Sequence, residues 1–228
     1  MYKYETHLHT SPVSKCASRN VYDSLKFYKE QGYDGVFITN HFLDGNINID
    51  YDTPYAEKIN FYFSDYEKGI EIGKELGIKV FAAPEISYGG TDFLVFGLDK
   101  QWYLEHPEIM QMSKSEELAF LRKHGAFISH AHPYREAGYI DHIRLYPRLV
   151  DAAEVINANR TPLENKMAKL YAENYGLYQT AGSDNHIADG TTVLAGMMSE
   201  TPVNSVEDFI AMVKAGQFTL FFESRENK

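Results

Sequence analysis

The chain has 228 residues, 44% of them hydrophobic, which is enough to bury a sizeable core as one large domain or two small ones. Its formal net charge of -10 argues against tight, non-specific binding of nucleic acid, which needs a basic surface. No apolar run approaches the ~18 residues of a membrane span, and the single cysteine, Cys16, cannot form an internal disulfide.

The opening MYKYETHLHT lacks the apolar core of a signal peptide, so a cytoplasmic protein is expected. A first strand is expected near Tyr2–His7, ending in the pattern HLHT. From there one unit recurs: a capping residue with an acid three positions later opens a helix, a glycine closes it, and an apolar strand comes next. Asn20, in NVYD, opens a helix that runs to Gly32, before the strand GVFIT. The insert Phe42–Phe63 interrupts the rhythm. Ser64, in SDYE, opens the next helix, which ends at Gly77 before IKVFAA.

The segment Tyr88–Met112 is a second interruption, within which DFLVFGL reads as an extra strand. Its GGT, Gly89–Thr91, lacks the pattern of a phosphate loop and reads as a turn. Ser113, in SKSE, leads to Gly125 and the strand AFIS, and AAEVI near Ala153 is the next strand. Thr161, in TPLE, starts a helix with proline at its first position and leads to Gly176, before LYQTAG. Ser205, in SVED, leads to Gly216 and QFTLFF.

Short continuous apolar strands alternating with helices predict an α/β fold with a buried parallel sheet. Seven strands suit a closed barrel better than an open sheet. No linker divides the chain, so a single domain over residues 1–228 is expected.

Metal-type residues fall on this rhythm. His7 and His9 close the first strand, His41 follows GVFIT, and Glu85 follows KVFAAP. His130 and His132 follow AFIS, and Asp184 and His186 follow YQTAG. Each group lies past the C-terminal end of an expected strand, the rim on which parallel α/β folds build their sites. Residues i and i+2 of a strand point to one side, so His-x-His presents two imidazoles to one point. His106, His124 and His142 fit no strand end and are read as surface residues. Six histidines, one Glu and one Asp exceed the four ligands of one tetrahedral zinc, so two or three divalent ions are expected, with Zn, Mn or Fe suiting the set.

A water bridging two cations is a nucleophile at neutral pH, which points to hydrolysis. Arg135, in HPYR, and Arg160, in NANR, stand at rim positions from which a guanidinium could grip phosphate in two bonds. Tyr134 is the tyrosine best placed to touch substrate. Lys15 and Arg19 are weaker candidates.

The ordered set HLHT, TNH, PEIS, SHAHP, GSDNH resembles the PHP superfamily, the polymerase and histidinol phosphatase domains, over nearly the whole chain. The resemblance implies a distorted (β/α)7 barrel of TIM-like type, two or three divalent metals at its C-terminal rim, and hydrolysis of a phosphate ester. It implies one metal on His7, His9, Glu85 and Asp184. Glu85 would bridge to a second metal on His132, and His41 and His186 would hold a third. Two departures matter. Many relatives carry a ligand where Ser14 and Lys15 stand here, next to Cys16, which could supply a thiolate. Relatives also often have a histidine on the strand after the bridging Glu, where this chain offers Asp92. His130 is favoured over Asp92 to complete the second site.

Glu85, Asp184 and Arg135 are the expected catalytic residues. Arg135, Arg160 and Tyr134 are expected to bind a small phosphorylated substrate, such as a metabolite or nucleotide. Long nucleic acid is the least expected partner. The alternatives are a metal-binding module without catalysis and a metal-dependent amide hydrolase.

Overall fold

The computed structural model describes residues 1–224. Strand β1 (Tyr2–Leu8) enters the core at once and leads through a loop to helix α1 (Val21–Glu30). Asn20 caps that helix by accepting a hydrogen bond from the Asp23 amide. Strand β2 (Gly35–Ile38) comes next, then helix α2 (Tyr55–Leu76). This helix begins after Pro54, not at Ser64, which lies inside it. Proline at the helix mouth needs no amide partner, so the interrupting insert holds half a helix without a polar cap. Gly77 ends α2 in the left-handed conformation.

Strand β3 (Lys79–Ala82) breaks at Ala83-Pro84, and β4 (Glu85–Tyr88) turns through Gly89-Gly90 into β5 (Thr91–Phe96). β5 is the extra strand expected from DFLVFGL, whereas β4 has no counterpart in the sequence reading. Helix α3 (Lys100–Glu105) and a 3-10 turn lead to α4 (Lys114–Lys123), whose capping box joins Ser113 and Glu116. Then come β6 (Phe127–Ala131), β7 (Ala152–Asn157), α5 (Pro162–Tyr175) with a second capping box at Thr161 and Glu164, and β8 (Tyr178–Gly182). Strand β9 (Val193–Ser199), helix α6 (Val206–Lys214) capped by Ser205, and β10 (Thr219–Ser224) complete the described residues.

The strands form two mixed five-stranded sheets, in the orders β10-β9-β1-β2-β3 and β4-β5-β6-β7-β8. β1, β2 and β3 run parallel, as do β6, β7 and β8, while β9 and β5 run against their neighbours. The sheets touch at single parallel bridges, Leu8 to Asn185 and His41 to Glu85, and β8 lies beside β1 and β9. Both bridges involve residues at or next to the expected metal ligands.

An aromatic core with Tyr4, Phe37, Phe81, Leu94, Phe96 and Phe127 draws residues from both sheets, and α6 adds Phe209, Met212 and Val213 to it. A second cluster packs β5 and β6 against α2, α3 and α4. A third packs α1 and α2 on β1 and β2. Among the described residues no helix is long and apolar enough to cross a membrane.

Candidate metal centre

The parallel strands aim their C-terminal ends at one cavity of about 310 Å³, lined among others by Cys16, His41, Glu85, Asp92, His132, Arg135, Asp184 and His186. A larger groove of about 520 Å³ lies at the opposite ends of the strands, against Tyr2, Asp34 and Lys79. Among the described residues the clusters of metal-type ligands lie at the smaller cavity.

Glu85 stands at the centre and is fully buried. Its Oε1 lies 3.1 Å from His7 Nε2 and 3.5 Å from His132 Nε2. Its Oε2 lies 2.7 Å from His41 Nδ1 and 3.5 Å from His9 Nε2. The two oxygens thus face different imidazole pairs, which is the disposition of a bridging ligand. Asp184 Oδ1 lies 3.5 Å from His7 Nε2 and 3.4 Å from His9 Nε2, and its Oδ2 lies 3.8 Å from His132 Nε2. Three overlapping ligand groups result: His7, Glu85 and His132; His7, His9 and Asp184; and His9, His41 and His186.

These atoms are close without being hydrogen-bonded. His7 Nε2, His9 Nε2, His41 Nδ1 and both Glu85 oxygens are buried, and none makes a hydrogen bond of acceptable geometry. Buried polar atoms are almost always paired, and unpaired ones in a convergent set point to an ion. Lone pairs aimed at common points, and not at one another, fit divalent cations held by imidazole and carboxylate.

The electrostatics agree. Burial alone would raise Glu85, but His41 and His7 hold it well below the usual carboxylate range. Burial would likewise raise Asp184, and His7 with the nearby His9 keeps it well below. Burial alone would lower His7, but Glu154, Asp184 and Glu85 raise it well above the ordinary imidazole value. The carboxylates therefore draw positive charge to this point, a demand that divalent cations would meet in place of protons.

A second layer orients the ligands. Glu154 Oε1 is 2.9 Å from His7 Nδ1, which turns Nε2 toward the centre. Glu154 Oε2 accepts hydrogen bonds from the His132 amide at 3.0 Å and from Asn157 Nδ2 at 2.9 Å. Ser14 Oγ lies 3.2 Å from His9 Nδ1 and donates to Asn40 Oδ1 at 2.8 Å. Asn159 Nδ2 donates to the carbonyls of Ser183 and Asp184, both at 2.8 Å. Gly182 is required here, because a Cβ would stand 2.5 Å from His7 Cβ and 2.9 Å from Glu154 Oε1. Sequence reasoning misses Glu154 as a functional residue. Its signal is an acid inside the apolar strand AAEVI, which must find a partner once buried.

A family model described as PHP-associated matches residues 162–218. No curated protein matches the sequence. Among solved structures, the chain resembles a two-domain protein from Bacteroides vulgatus containing a predicted PHP-like metal-dependent phosphoesterase. The TM-score is 0.68 at 14% identity, over 96% of this chain and 64% of that one. The chain thus spans just under two thirds of that protein. It also resembles a protein from Bifidobacterium adolescentis assigned as a metal-dependent phosphoesterase, with TM-score 0.56 at 12% identity, over 92% of this chain and 95% of that one. A third likeness is to an amidohydrolase from Chromobacterium violaceum with bound sulfate and no metal, with TM-score 0.54 at 13% identity, over 81% of this chain and 87% of that one. At such identities these likenesses establish the fold. With them stand the ordered histidine and carboxylate motifs and the matching family model. The chain therefore shares the fold of these proteins, and its residues 162–218 are similar to the PHP-associated family.

Several expected site residues sit elsewhere in the structure. His130 is expected from the sequence to complete the second metal site, but its ring packs 4.8 Å from that of Phe93, and its Nδ1 lies 3.5 Å from the Tyr171 hydroxyl. It belongs to none of the three ligand groups. Burial, with the charge of His132, lowers it to about 3, so it is neutral. The i, i+2 argument fails because β6 ends at Ala131 and His132 takes a φ of 27°. That left-handed turn swings His132 to the cavity and leaves His130 behind. Asp184 makes the same kind of turn, with φ 53°. Such backbone is costly outside glycine and collects at functional sites.

Asp92, the other residue weighed for the second site, also belongs to none of the three groups but lies at the cavity. It is buried, and its Oδ2 lies 3.8 Å from His132 Nε2. Burial and the nearby charge of Glu85 raise it above the usual range. Arg135 also lines the cavity, donating from NH1 to Asp92 Oδ2 at 3.2 Å and from NH2 to the Tyr139 hydroxyl. Tyr134 does not line the cavity and packs edge-on to Tyr171, whereas Tyr139 does line it. Arg160 is likewise absent from the lining, and its charge acts on Glu164. Arg19 is occupied by Asp189 at 2.9 Å. Cys16 lines the cavity; burial would raise its thiol, but hydrogen bonds to His186 and His41 bring it down to about 6.

Proposed function

We propose that the chain is a metal-dependent phosphoesterase that hydrolyses a small phosphate ester. One observation carries the reading: Arg135, the single Arg or Lys among the residues lining the cavity, shares that cavity with Glu85, whose two oxygens face separate imidazole sets. His7, His9, Glu85 and Asp184 would hold one ion, Glu85, His132 and Asp92 a second, and His41 and His186 with His9 a third. Divalent ions there would supply a nucleophile at neutral pH and positive charge for the phosphoryl oxygens. Zn, Mn and Fe all suit the donors.

The chain's own groups do the rest. Arg135 offers its planar fork to phosphoryl oxygens, and Asp92 and Tyr139 set the direction of that fork. Glu154 fixes which nitrogen of His7 faces inward. The cavity suits a small substrate, a phosphorylated metabolite or nucleotide, and the acidic charge disfavours long nucleic acid.

In this reading the two sheets are the halves of a distorted (β/α)7 barrel, for which the single bridges Leu8 to Asn185 and His41 to Glu85 are the support, and residues 1–228 act as one domain. A cytoplasmic location belongs to the same reading.

Amide hydrolysis is the second reading, favoured by the likeness to an amidohydrolase. A screen of phosphate monoesters, phosphodiesters and N-acylated compounds, with protein loaded with Zn, Mn or Fe, separates the two. Release of inorganic phosphate, abolished by chelation, is expected. Turnover of amides alone would replace the proposal, and no turnover of any class would leave a metal-binding module.

A further inference from the structure

An imidazole that ligates through one nitrogen is aimed by whatever holds the other. His7 and His9 turn Nε2 to the centre. Behind them stand Glu154 Oε1, 2.9 Å from His7 Nδ1, and Ser14 Oγ, 3.2 Å from His9 Nδ1. His132 turns Nε2 the same way, 3.5 Å from Glu85 Oε1. Its Nδ1 is buried, and among the described residues no protein group bonds to it. His132 also lies past the end of β6 on a left-handed backbone, so the sheet does not set the direction of its ring.

A second buried nitrogen lies close by. His130 is 0% exposed, and its Nε2 has no protein partner. The rest of its ring is held, 4.8 Å from the ring of Phe93 and with Nδ1 3.5 Å from the Tyr171 hydroxyl. Its backbone is paired on both sides, with Phe93 of β5 and Ala153 of β7. His130 and His132 both line a small cavity, together with Thr91, Pro133 and Ile143. That cavity leaves about 10 Å³ for the centre of a water, room for one molecule. Buried waters typically join polar groups that have no other partner.

We infer that His130 is a positioning residue, which holds His132 through one buried water that accepts from His132 Nδ1–H and donates to His130 Nε2. The bridge fixes His132 as the tautomer whose Nε2 lone pair faces Glu85. His130 keeps its own proton on Nδ1, toward the Tyr171 hydroxyl. The paired strand at His130 gives the water a rigid support that the turn at His132 does not provide.

The effect on metal binding rests on the cluster of the proposed function, so the test is run with and without metal. The full chain, with isotope-labelled histidine, is stripped with chelator and studied by NMR at alkaline pH, where His132 is uncharged. His132 should carry its proton on Nδ1, and that proton should exchange slowly and show contact with a long-lived water. His130→Leu should lose the water contact and mix the two tautomers. His130→Gln, which returns an acceptor oxygen, should restore both. After reloading, His130→Leu should bind one zinc roughly 10–100-fold more weakly, the scale of losing the group behind a ligating histidine, and His130→Gln should recover most of that loss. Wild-type protein without the Nδ1–H tautomer or without the water overturns the inference whatever the variants do. So does an unchanged tautomer and zinc affinity in His130→Leu, even where its Tm falls. Wild-type protein that shows the bridge but takes up no zinc overturns the metal cluster and leaves the bridge standing.

Discussion

In the proposed function Glu85, Glu154 and Arg135 would divide the work of the site, and each makes its own prediction. Glu85 faces two imidazole sets with its two oxygens, so in the proposed function its charge would serve more than one ion. Glu85→Gln keeps the shape and removes that charge. Loss of at least one metal per chain and a fall in kcat of several orders of magnitude are expected, with the circular dichroism unchanged; undiminished metal and full activity would defeat the bridging role. Glu154 acts through His7 and the His132 amide without reaching the cavity. Glu154→Gln should weaken metal affinity by roughly 10–100-fold, the usual scale for a carboxylate behind a ligating histidine, read by competition with a chromophoric chelator. Arg135→Ala should keep every metal and lose about 2–4 kcal/mol of transition-state stabilisation, with Arg135→Lys recovering part. A variant with wild-type kcat/KM would remove Arg135 from the site.

Helix α4 shows how an element is tied to the cavity by charge. Lys114, on its first turn, is buried and lies 2.6 Å from Asp44 Oδ2 and 2.5 Å from Glu117 Oε2. Asp44 also lines the cavity and accepts from the Ser87 amide on β4 at 3.0 Å. Lys114→Met would leave two carboxylates without their cation in a nearly dry place. A loss of about 3–5 kcal/mol in urea unfolding is expected, because breaking a buried pair costs far more than the pair itself contributes. A midpoint within error of wild type would mean that water reaches the cluster. Elements are also where sequence reading is strongest. Asn20, Ser113, Thr161 and Ser205 all cap helices as their spacing predicts, because a cap is a contact over three residues. It fails at Ser64, where the same spacing lies inside α2 and the apolar face carries the helix back to Tyr55.

Across the whole molecule, the candidate ligands come from β1 and the residue after it, the start of β4, and the connections after β2, β6 and β8, so metal binding would join both sheets. An ion that binds the native state alone adds about 2.7 kcal/mol at a concentration of 100 Kd. At roughly 2–4 °C per kcal/mol for a chain of this size, chelation should lower Tm by about 5–10 °C. The stabilisation should fade as pH drops, since protons on His7 and His132 compete with the metal. Calorimetry with elemental analysis checks this, and an unchanged Tm after proven removal would show that the sheets do not depend on the ions.

The alternation of helix and strand, most helix caps and the position of His7, His9, His41, Glu85, His132, Asp184 and His186 at strand ends are legible in the chain alone. These are properties of a few neighbouring residues: a cap, a glycine, an apolar run and the residues just past it. Which of those side chains turn inward depends on the folded molecule. His132 enters and His130 does not because of one left-handed residue past β6, and Tyr139 replaces Tyr134 at the cavity wall. Asp92 and Glu154 reach the centre or its back only through pairing of β5 and β7 with neighbouring strands. The antiparallel β4, β5 and β9 also escape a reading based on parallel units, since strand direction is set by partners far along the chain. Beyond the last residue of a strand, side-chain direction obeys the turn of the backbone, and that turn is held by contacts such as the Glu154 bond to the His132 amide, 22 residues away.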